Sequence, residues 1–137
     1  MTEIKTYLGI DFGKSKIGLA IADEETRIAF TFDVLKNDNE FWKNLKEICQ
    51  SENVTKIIVG KTSHAIDKES SDEKEEFGAK VFKETGVEVE FQEEMFTTKI
   101  AQQNLIEKGG REISKMDDSE AARIILQSWL DKKIKAN

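Results

Sequence analysis

The sequence predicts one α/β domain built on a mixed five-stranded sheet, and three observations indicate this fold class. Two short loops separate three consecutive strand-like stretches near the N-terminus, which is typical of antiparallel hairpins. Two more strand-like stretches then alternate with segments of helical periodicity, which is typical of parallel βαβ units. The 137 residues suffice for one domain with a sizeable core and are too few for two ordinary domains.

Each predicted element has its own signal. The first three strands are rich in Ile, Leu, Phe and Thr, the fourth is a short β-branched run, and the fifth alternates apolar and charged residues as a half-exposed edge strand does. The helices carry apolar residues at helical spacing. In chain order the sequence predicts strands Tyr7–Phe12, Lys16–Ala22 and Arg27–Phe32, helix Asn37–Asn53, strand Lys56–Gly60, a helix from Ser70 to Gly86, strand Val87–Phe91, and helices Thr98–Lys108 and Asp118–Lys133.

The helix that begins at Ser70 has a clear signal at its start. Ser70 and Glu73 have the spacing of a capping box, in which each side chain hydrogen-bonds to the backbone of the other residue. Its buried residues are predicted to be Phe77, Val81 and Phe82.

The element order βββαβαβαα describes a ribonuclease-H-like fold, with helices on both faces of the sheet. No repeat, linker or low-complexity segment interrupts this order, so we expect a single domain over residues 1–137. No apolar run approaches the roughly 18 residues of a membrane span, and a lone Cys49 fits a reducing compartment. We therefore expect a cytoplasmic protein without a membrane partner. The net charge of −6 argues against indiscriminate nucleic-acid binding but allows a local basic patch.

An aspartate stands where the sequence predicts a buried strand. Asp11 lies in the first strand, although aspartate is depleted in strands and burying an unpartnered carboxylate is costly. Glu94 follows the last strand, and Asp118 begins the last helix and continues its apolar face. A solvated turn is the simpler explanation of Glu94, and helix capping is the simpler explanation of Asp118. Carboxylates that converge repel unless a hard cation neutralises them, so we expect Mg²⁺ or Mn²⁺, the ions that activate phosphodiester hydrolysis.

Four stretches of the chain have the form of motifs. They are GIDFGKSKIGLA at 9–20, IIVGKT at 57–62, EEMFTT at 93–98 and DSEAARIILQ at 118–127. Together they resemble the YqgF (RuvX) family of proposed Holliday-junction resolvases, also described as pre-16S ribosomal RNA nucleases. The resemblance implies that Asp11, Glu94 and Asp118 are the catalytic, metal-binding acids of a magnesium-dependent nuclease. It also implies a nucleic-acid substrate, either ribosomal precursor RNA or branched DNA.

The chain departs from the family pattern at several positions. Ser15-Lys16 stands where the family has Lys-Arg, Met95 replaces an arginine, and Lys61-Thr62 replaces Leu-Pro. Glu93 replaces an aspartate. Some of these changes remove positive charge that would hold phosphates. The main alternative is therefore a catalytically silent relative that binds RNA or a protein partner.

Residues predicted to contact substrate flank the three acids. Lysines would hold phosphates as point charges, and threonines would either cap the next helix or contact phosphate. The predicted contacts are Lys14, Lys16, Lys61, Thr97, Thr98 and Lys99. A remote alternative is an ATP-binding domain of the actin and Hsp70 type, which needs two such domains around one nucleotide. A junction resolvase is expected to be a homodimer, whereas an RNA nuclease can act as a monomer, so the sequence leaves both states open.

Overall fold

A computed structural model of the chain describes residues 4–63, 65–93 and 118–136, with side chains as far as residue 133. Within these residues five strands form one mixed sheet: β1 (Thr6–Asp11), β2 (Lys16–Asp23), β3 (Phe30–Lys36), β4 (Val54–Lys61) and β5 (Glu88–Glu93). Their order across the sheet is β3-β2-β1-β4-β5. The first three strands are antiparallel, whereas β4 runs parallel to β1 and β5 parallel to β4. The predicted fold is confirmed, and β5 is an edge strand as expected.

Three helices in the described residues cover the two faces of the sheet: α1 (Glu40–Ser51), α2 (Lys68–Thr85) and α3 (Asp118–Ala136). The α1–α2 face carries a core cluster in which both helices pack against alternate strand residues such as Leu8 and Ile10. On the opposite side, the α3 face, that helix packs against the alanines of β2 and Ile58 of β4. None of these three helices is both long and apolar enough to span a membrane. The helix predicted at Thr98–Lys108 lies outside the described residues.

The α3 helix packs unusually close to the sheet because two strand glycines face it. A Cβ atom on Gly9 would lie 3.0 Å from the carbonyl oxygen of Ala122. A Cβ atom on Gly18 would overlap the backbone of Asp118. The small Ala122 of the helix is therefore matched by glycines in the sheet.

The third strand lies further along the chain than predicted. The pattern predicts Arg27–Phe32, whereas β3 covers Phe30–Lys36. Arg27 has a φ of 55°, which is incompatible with a strand. The side chain of Gln127 in α3 accepts a hydrogen bond from the amide of Ala29 at 2.8 Å and donates one to the carbonyl of Arg27 at 3.3 Å. Contacts with a distant helix therefore replace the strand pairing that the local pattern predicts.

The start of α2 and one of its buried positions also differ from prediction. The N-cap is Asp67, whose backbone is extended and whose side chain accepts a hydrogen bond from the amide of Ser70 at 3.0 Å. The capping box of Ser70 and Glu73 is therefore wrong, because the helix has already begun before Ser70. Phe82 is 55% exposed, since it lines the open groove between α2 and the edge strand β5 and not the buried cluster.

Candidate active site

Asp11 is the last residue of β1 and lies on the α3 face of the sheet. Side chains alternate between faces along a strand. Leu8 and Ile10 belong to the α1–α2 cluster, whereas Gly9 faces α3. The same alternation puts Asp11 on the α3 face, where its side chain is partly buried. Its direct neighbour on β2 is Gly18.

Asp118 reaches the same place from a different part of the chain. It is the first residue of α3, and its carbonyl group packs directly on Gly18. Because Gly18 is also the cross-strand neighbour of Asp11, the two aspartates flank one glycine, which has no side chain to separate them. The structure thus places these two predicted residues at one end of the sheet and beside the same face. A glycine inside a predicted strand is the sequence signal that marks such a close approach.

The first turn of α3 adds an electrostatic contribution to this place. Backbone N–H groups at the start of a helix carry partial positive charge, which favours carboxylates and phosphates nearby. In the same turn Glu120 forms an ion pair with Arg123, and its hydrogen bond raises the pKa of Arg123 above the ordinary value. The charge of Arg123 is therefore paired with a carboxylate of the same helix.

A pair of lysines lies at the same end of the sheet. Lys16 begins β2, and the register with β3 places it directly opposite Lys36. Both lysines share the α3 face with Gly18, two residues beyond Lys16. Like charges that oppose each other across a sheet are destabilising, and an anion such as a phosphate nearby would relieve this repulsion. Sequence reasoning misses Lys36, because only the register of β3 reveals where it lies.

The turn between β1 and β2 presents Lys14 to solvent. Asn37, which follows β3, fixes this turn through two hydrogen bonds. Its side-chain amide donates to the carbonyl of Gly13 at 2.8 Å, and its backbone amide donates to the carbonyl of Ser15 at 2.9 Å. The turn is therefore anchored to the end of β3 while its lysine extends outward.

Lys61 ends β4 at the same end of the sheet but points to the opposite face. Its Nζ atom lies 3.2 Å from a carboxylate oxygen of Glu75 in α2 and 5.4 Å from the ring centroid of Phe91. The structure therefore does not bring the Lys61 ammonium together with Asp11, although the two residues end neighbouring strands.

The remaining predicted residues follow β5. Glu93 ends this strand. Because it is two residues beyond Phe91, it lies on the same face of the sheet as Phe91, which packs against the α1–α2 cluster. The residues outside the described part of the chain are Glu94, Thr97, Thr98 and Lys99. Across residues 4–63, 65–93 and 118–136, no three Asp, Glu, His or Cys side chains form a group that could hold a metal. The predicted three-acid site therefore cannot be assembled from the described residues alone.

The later part of α3 is fixed to the sheet by a polar anchor around Glu90 of β5. Lys56 Nζ lies 2.6 Å from one carboxylate oxygen, and the indole N–H of Trp129 donates to the other at 3.0 Å. The hydrogen bond with Glu90 is the main reason that the pKa of Lys56 is raised. Partial burial raises the pKa of Glu90, but the hydrogen bonds from Lys56 and Trp129 outweigh it and hold that pKa below the ordinary value. This anchor holds the helix that begins with Asp118.

The two aspartates have the chemistry that a hard divalent cation requires. Carboxylate oxygens are the preferred ligands of Mg²⁺ and Mn²⁺. Asp11 and Asp118 are both partly buried beside one glycine, and like charges so placed repel unless a cation compensates them. The residues present therefore fit the predicted metal.

Comparison with known proteins gives sequence matches over most of the chain. A family model described as "RuvX: Holliday junction resolvase" matches residues 5–132. A protein from Colwellia psychrerythraea named "Putative pre-16S rRNA nuclease" is 31% identical over 133 residues, which cover 93% of this chain and 90% of that protein. A protein of the same name from Anaeromyxobacter sp. strain K is 33% identical over 132 residues, which cover 92% and 96%.

Solved structures match the fold at low sequence identity. T. thermophilus RuvC in complex with a Holliday junction substrate has a TM-score of 0.57 at 14% identity, covering 95% of this chain and 96% of that one. Fowlpox virus resolvase in complex with Holliday junction DNA has a TM-score of 0.56 at 15% identity, covering 93% and 97%. These likenesses confirm the ribonuclease-H-like architecture. Because the RuvX model matches nearly the whole length, as the four motifs predict, the chain belongs to the RuvX family.

Proposed function

We propose that this chain is a metal-dependent nuclease that hydrolyses phosphodiester bonds in structured nucleic acid, with precursor 16S ribosomal RNA as substrate. The observation that carries the proposal is the packing of Asp11 and Asp118 around Gly18, at the same end of the sheet as the opposed lysines Lys16 and Lys36. Carboxylates attract a divalent cation and lysines attract phosphates, so the two groups together suit a metal-bound phosphodiester.

The choice of RNA rests on the relatives. The two proteins named for pre-16S rRNA are 31% and 33% identical to this chain, whereas the resolvases bound to junction DNA are 14% and 15% identical and support the fold alone. Branched DNA, which the family description names, is the competing substrate. Ribosomal RNA processing would place the protein in the cytoplasm.

Acidic and basic residues would have different roles in this site. Asp11 and Asp118, with Glu94 from the segment after β5, would hold the Mg²⁺ or Mn²⁺. A divalent cation bound there would supply Lewis-acid activation of the phosphate and of the attacking water. Lys16 and Lys36 bind neighbouring phosphates as point charges, which positions the strand without reading its sequence.

The other predicted contacts differ in how they would meet substrate. Lys14 would meet a phosphate beyond the first turn, and Lys61 would reach substrate only by giving up its ion pair with Glu75. Thr97, Thr98 and Lys99 stay predicted contacts.

Cleavage assays test the proposal directly. The purified chain is incubated with Mg²⁺ or Mn²⁺ and with precursor 16S RNA, unstructured single-stranded RNA or a four-way DNA junction. We expect cleavage of the precursor RNA that a chelator abolishes and that Asp11→Asn lowers by about a hundredfold or more. Asp72→Asn, which removes a half-exposed carboxylate of α2 that pairs with Lys68, is the matched control and should keep activity. Cleavage of the junction alone would assign the competing substrate, and cleavage of none would refute a nuclease.

Thermal melting separates a metal ligand from a structural aspartate. Asp11→Asn removes a charge that repels neighbouring carboxylates, so the variant should be at least as stable as the parent in chelator. It should also gain much less stability from added Mg²⁺, because a ligand stabilises only the state that binds it. A destabilised variant with an undiminished magnesium response would mean that Asp11 serves the fold and not the metal.

A silent binding protein is the second candidate, and the departures from the family pattern favour it. Lys16 and Lys36 would still hold RNA, but Met95 and Ser15 stand where the family has positive charge. Such a protein would bind precursor RNA in chelator as well as in Mg²⁺ and would cleave none of the substrates. Metal titration against RNA affinity therefore distinguishes the two functions.

A further inference from the structure

An open groove of about 340 Å³ lies between α2 and the edge strand β5. Most of its wall is apolar, and the residues that form this part are Gly78, Ala79, Phe82, Val89 and Phe91. The ring of Phe82 is 55% exposed, so much of its apolar surface is available to a partner. An apolar groove that keeps a large ring exposed is a candidate docking surface.

The edge of β5 is the second feature of this place. In the described part of the chain, β5 is the last strand of the sheet and pairs with β4 alone. Helix α2 lies beside this edge, because Gly78 contacts the ring of Phe91. An extended peptide that adds to such an edge gains main-chain hydrogen bonds, and its alternate side chains point toward the neighbouring helix. The groove and the edge together therefore suit an extended segment of protein chain.

The rim of the groove is acidic. Among the described residues that line it, the two charged ones are Glu75 and Glu88, whose side chains are 47% and 65% exposed. Lys61 lies 3.2 Å from Glu75, and Lys56 lies 3.6 Å from Glu88. The side chains of these two lysines are only 19% and 23% exposed, so they lie beneath the carboxylates. A molecule that approaches the groove therefore meets negative charge first.

We propose that this groove binds an extended basic segment of another protein, which adds to the edge of β5 and places an apolar side chain against Phe82. Lysine or arginine residues beside that apolar residue would pair with Glu75 and Glu88, which gives the complementary charge. The groove is short, so the binding is weak, with a dissociation constant of about 100 µM. This inference does not depend on the proposed function.

The acidic rim also disfavours the other occupants of such a groove. Nucleic acid would bring phosphates against Glu75 and Glu88. A second copy of the chain that paired its own β5 would add three glutamates to an edge that already has three. A basic segment is therefore the occupant that the charges favour.

Fluorescence anisotropy of the full chain with short labelled peptides tests the proposal. The probe alternates Lys with Val, one control peptide has Glu in place of Lys, and the other has Ser in place of Val. We expect only the Lys-Val peptide to bind, with a dissociation constant of about 100 µM. Absence of binding at about 1 mM of this peptide would overturn the proposal. Equally tight binding of the Lys-Ser peptide would also overturn it, because charge alone would then explain the attraction.

Two exposed phenylalanines provide matched variants. Phe82→Gln removes the ring from the groove without changing the charge and should weaken binding of the Lys-Val peptide by about tenfold. Phe30→Gln, at a phenylalanine that is 60% exposed on β3, should leave binding unchanged. Circular dichroism melts confirm that both variants fold. Binding that survives Phe82→Gln, or that both variants weaken equally, would place the peptide elsewhere and overturn the proposal.

A charge reversal tests the acidic rim. Glu88→Lys should weaken binding of the Lys-Val peptide several-fold and improve binding of the Glu-Val peptide. Glu25→Lys makes the same change of net charge at an exposed position between β2 and β3, and it should alter neither affinity. Equal effects of the two reversals would overturn the assignment to the groove. Sedimentation equilibrium examines the competing occupant, because a dimer that Phe82→Gln disrupts, in a chain that binds no peptide, would assign the groove to a second copy.

Discussion

The two faces of the sheet are built in different ways. On the α1–α2 face large rings interlock, with the ring centroids of Phe12 and Phe77 4.3 Å apart and those of Phe41 and Trp42 5.0 Å apart. On the α3 face the helix lies against Gly18 through the backbone of Asp118, and against Gly9 through the Ala122 carbonyl and the Leu126 side chain. The first arrangement buries much apolar surface, whereas the second fixes where backbone atoms lie.

From this difference we expect the α1–α2 face to contribute most of the stability and the α3 face to set the geometry of the candidate site. Interlocked side chains can repack after a change, because rotamers adjust at moderate cost. A helix that rests on glycine cannot adjust without moving as a whole. Asp11 and Asp118 lie on this face, so a substitution at Gly18 that shifts α3 would also move Asp118 relative to Asp11.

The largest expected effect is a loss of stability on the α1–α2 face. Leu45→Ala empties a fully buried position of the α1–α2 cluster and should lower the free energy of unfolding by about 3 kcal/mol. Urea denaturation measures this loss. The cleavage rate of the folded fraction should stay at the parent value, because Leu45 is on the face away from Asp11. A large loss of activity in the folded variant would show that the two faces are not independent.

A pair of glycine substitutions compares backbone contact with side-chain contact. Gly18→Ala puts a methyl group into the backbone of Asp118, so α3 must shift, and the variant should lose about 2–3 kcal/mol of stability and most of its activity. Gly78→Ala in α2 meets only the ring of Phe91, which can move, and gains helix propensity of about 1 kcal/mol. Thermal melts and cleavage assays of both variants provide the comparison. Equal effects would contradict the assignment of rigidity to the α3 face.

The pH dependence of the Glu90 anchor gives a smaller effect. Glu90 has a lowered pKa in the folded state, so its stabilisation is present above the unfolded value of about 4.3 and disappears as pH falls through the folded pKa. Glu90→Gln should therefore cost about 1 kcal/mol at neutral pH, with a difference from the parent that shrinks in acid. Urea denaturation at several pH values measures it.

The matched control for that anchor lies on the same strand. Glu88→Gln removes a carboxylate that is 3.6 Å from the same lysine, with a side chain that is 65% exposed, and should have a much smaller effect. A Glu88→Gln loss as large as the Glu90→Gln loss would mean that exposed charge, and not the partly buried anchor with Trp129, holds α3.

The smallest expected effect is on the salt dependence of nucleic-acid affinity. Lys16→Gln and Lys36→Gln should each weaken nucleic-acid binding and each reduce the slope of log affinity against log salt concentration by about 1. Lys61→Gln should leave the slope unchanged, because its ammonium faces Glu75 on the other face. Fluorescence anisotropy over a salt series measures the slopes. An unchanged slope for both Lys16→Gln and Lys36→Gln would remove the lysine pair from the binding surface.

The element order, the buried stripe of α3 and the edge position of β5 could be predicted because periodicity is a local property. Asp11 and Asp118 could be singled out because an acid that continues an apolar stretch contradicts its local context, and their metal-binding role stays a prediction. The start of β3 could not, because Gln127, 98 residues away from Ala29, holds the segment before the strand. The exposure of Phe82 could not be predicted either, because the sequence pattern does not distinguish it from its buried neighbour Val81.

By itself the sequence determines the fold class, the family and the residues whose chemistry suits a metal and phosphates. Only the tertiary structure decides which of these residues meet. It places Lys36 opposite Lys16 and turns Lys61 to the opposite face, where it meets Glu75. The physical reason is that register and facing depend on pairing between distant strands and on how closely α3 can approach Gly18, and no local periodicity carries that information.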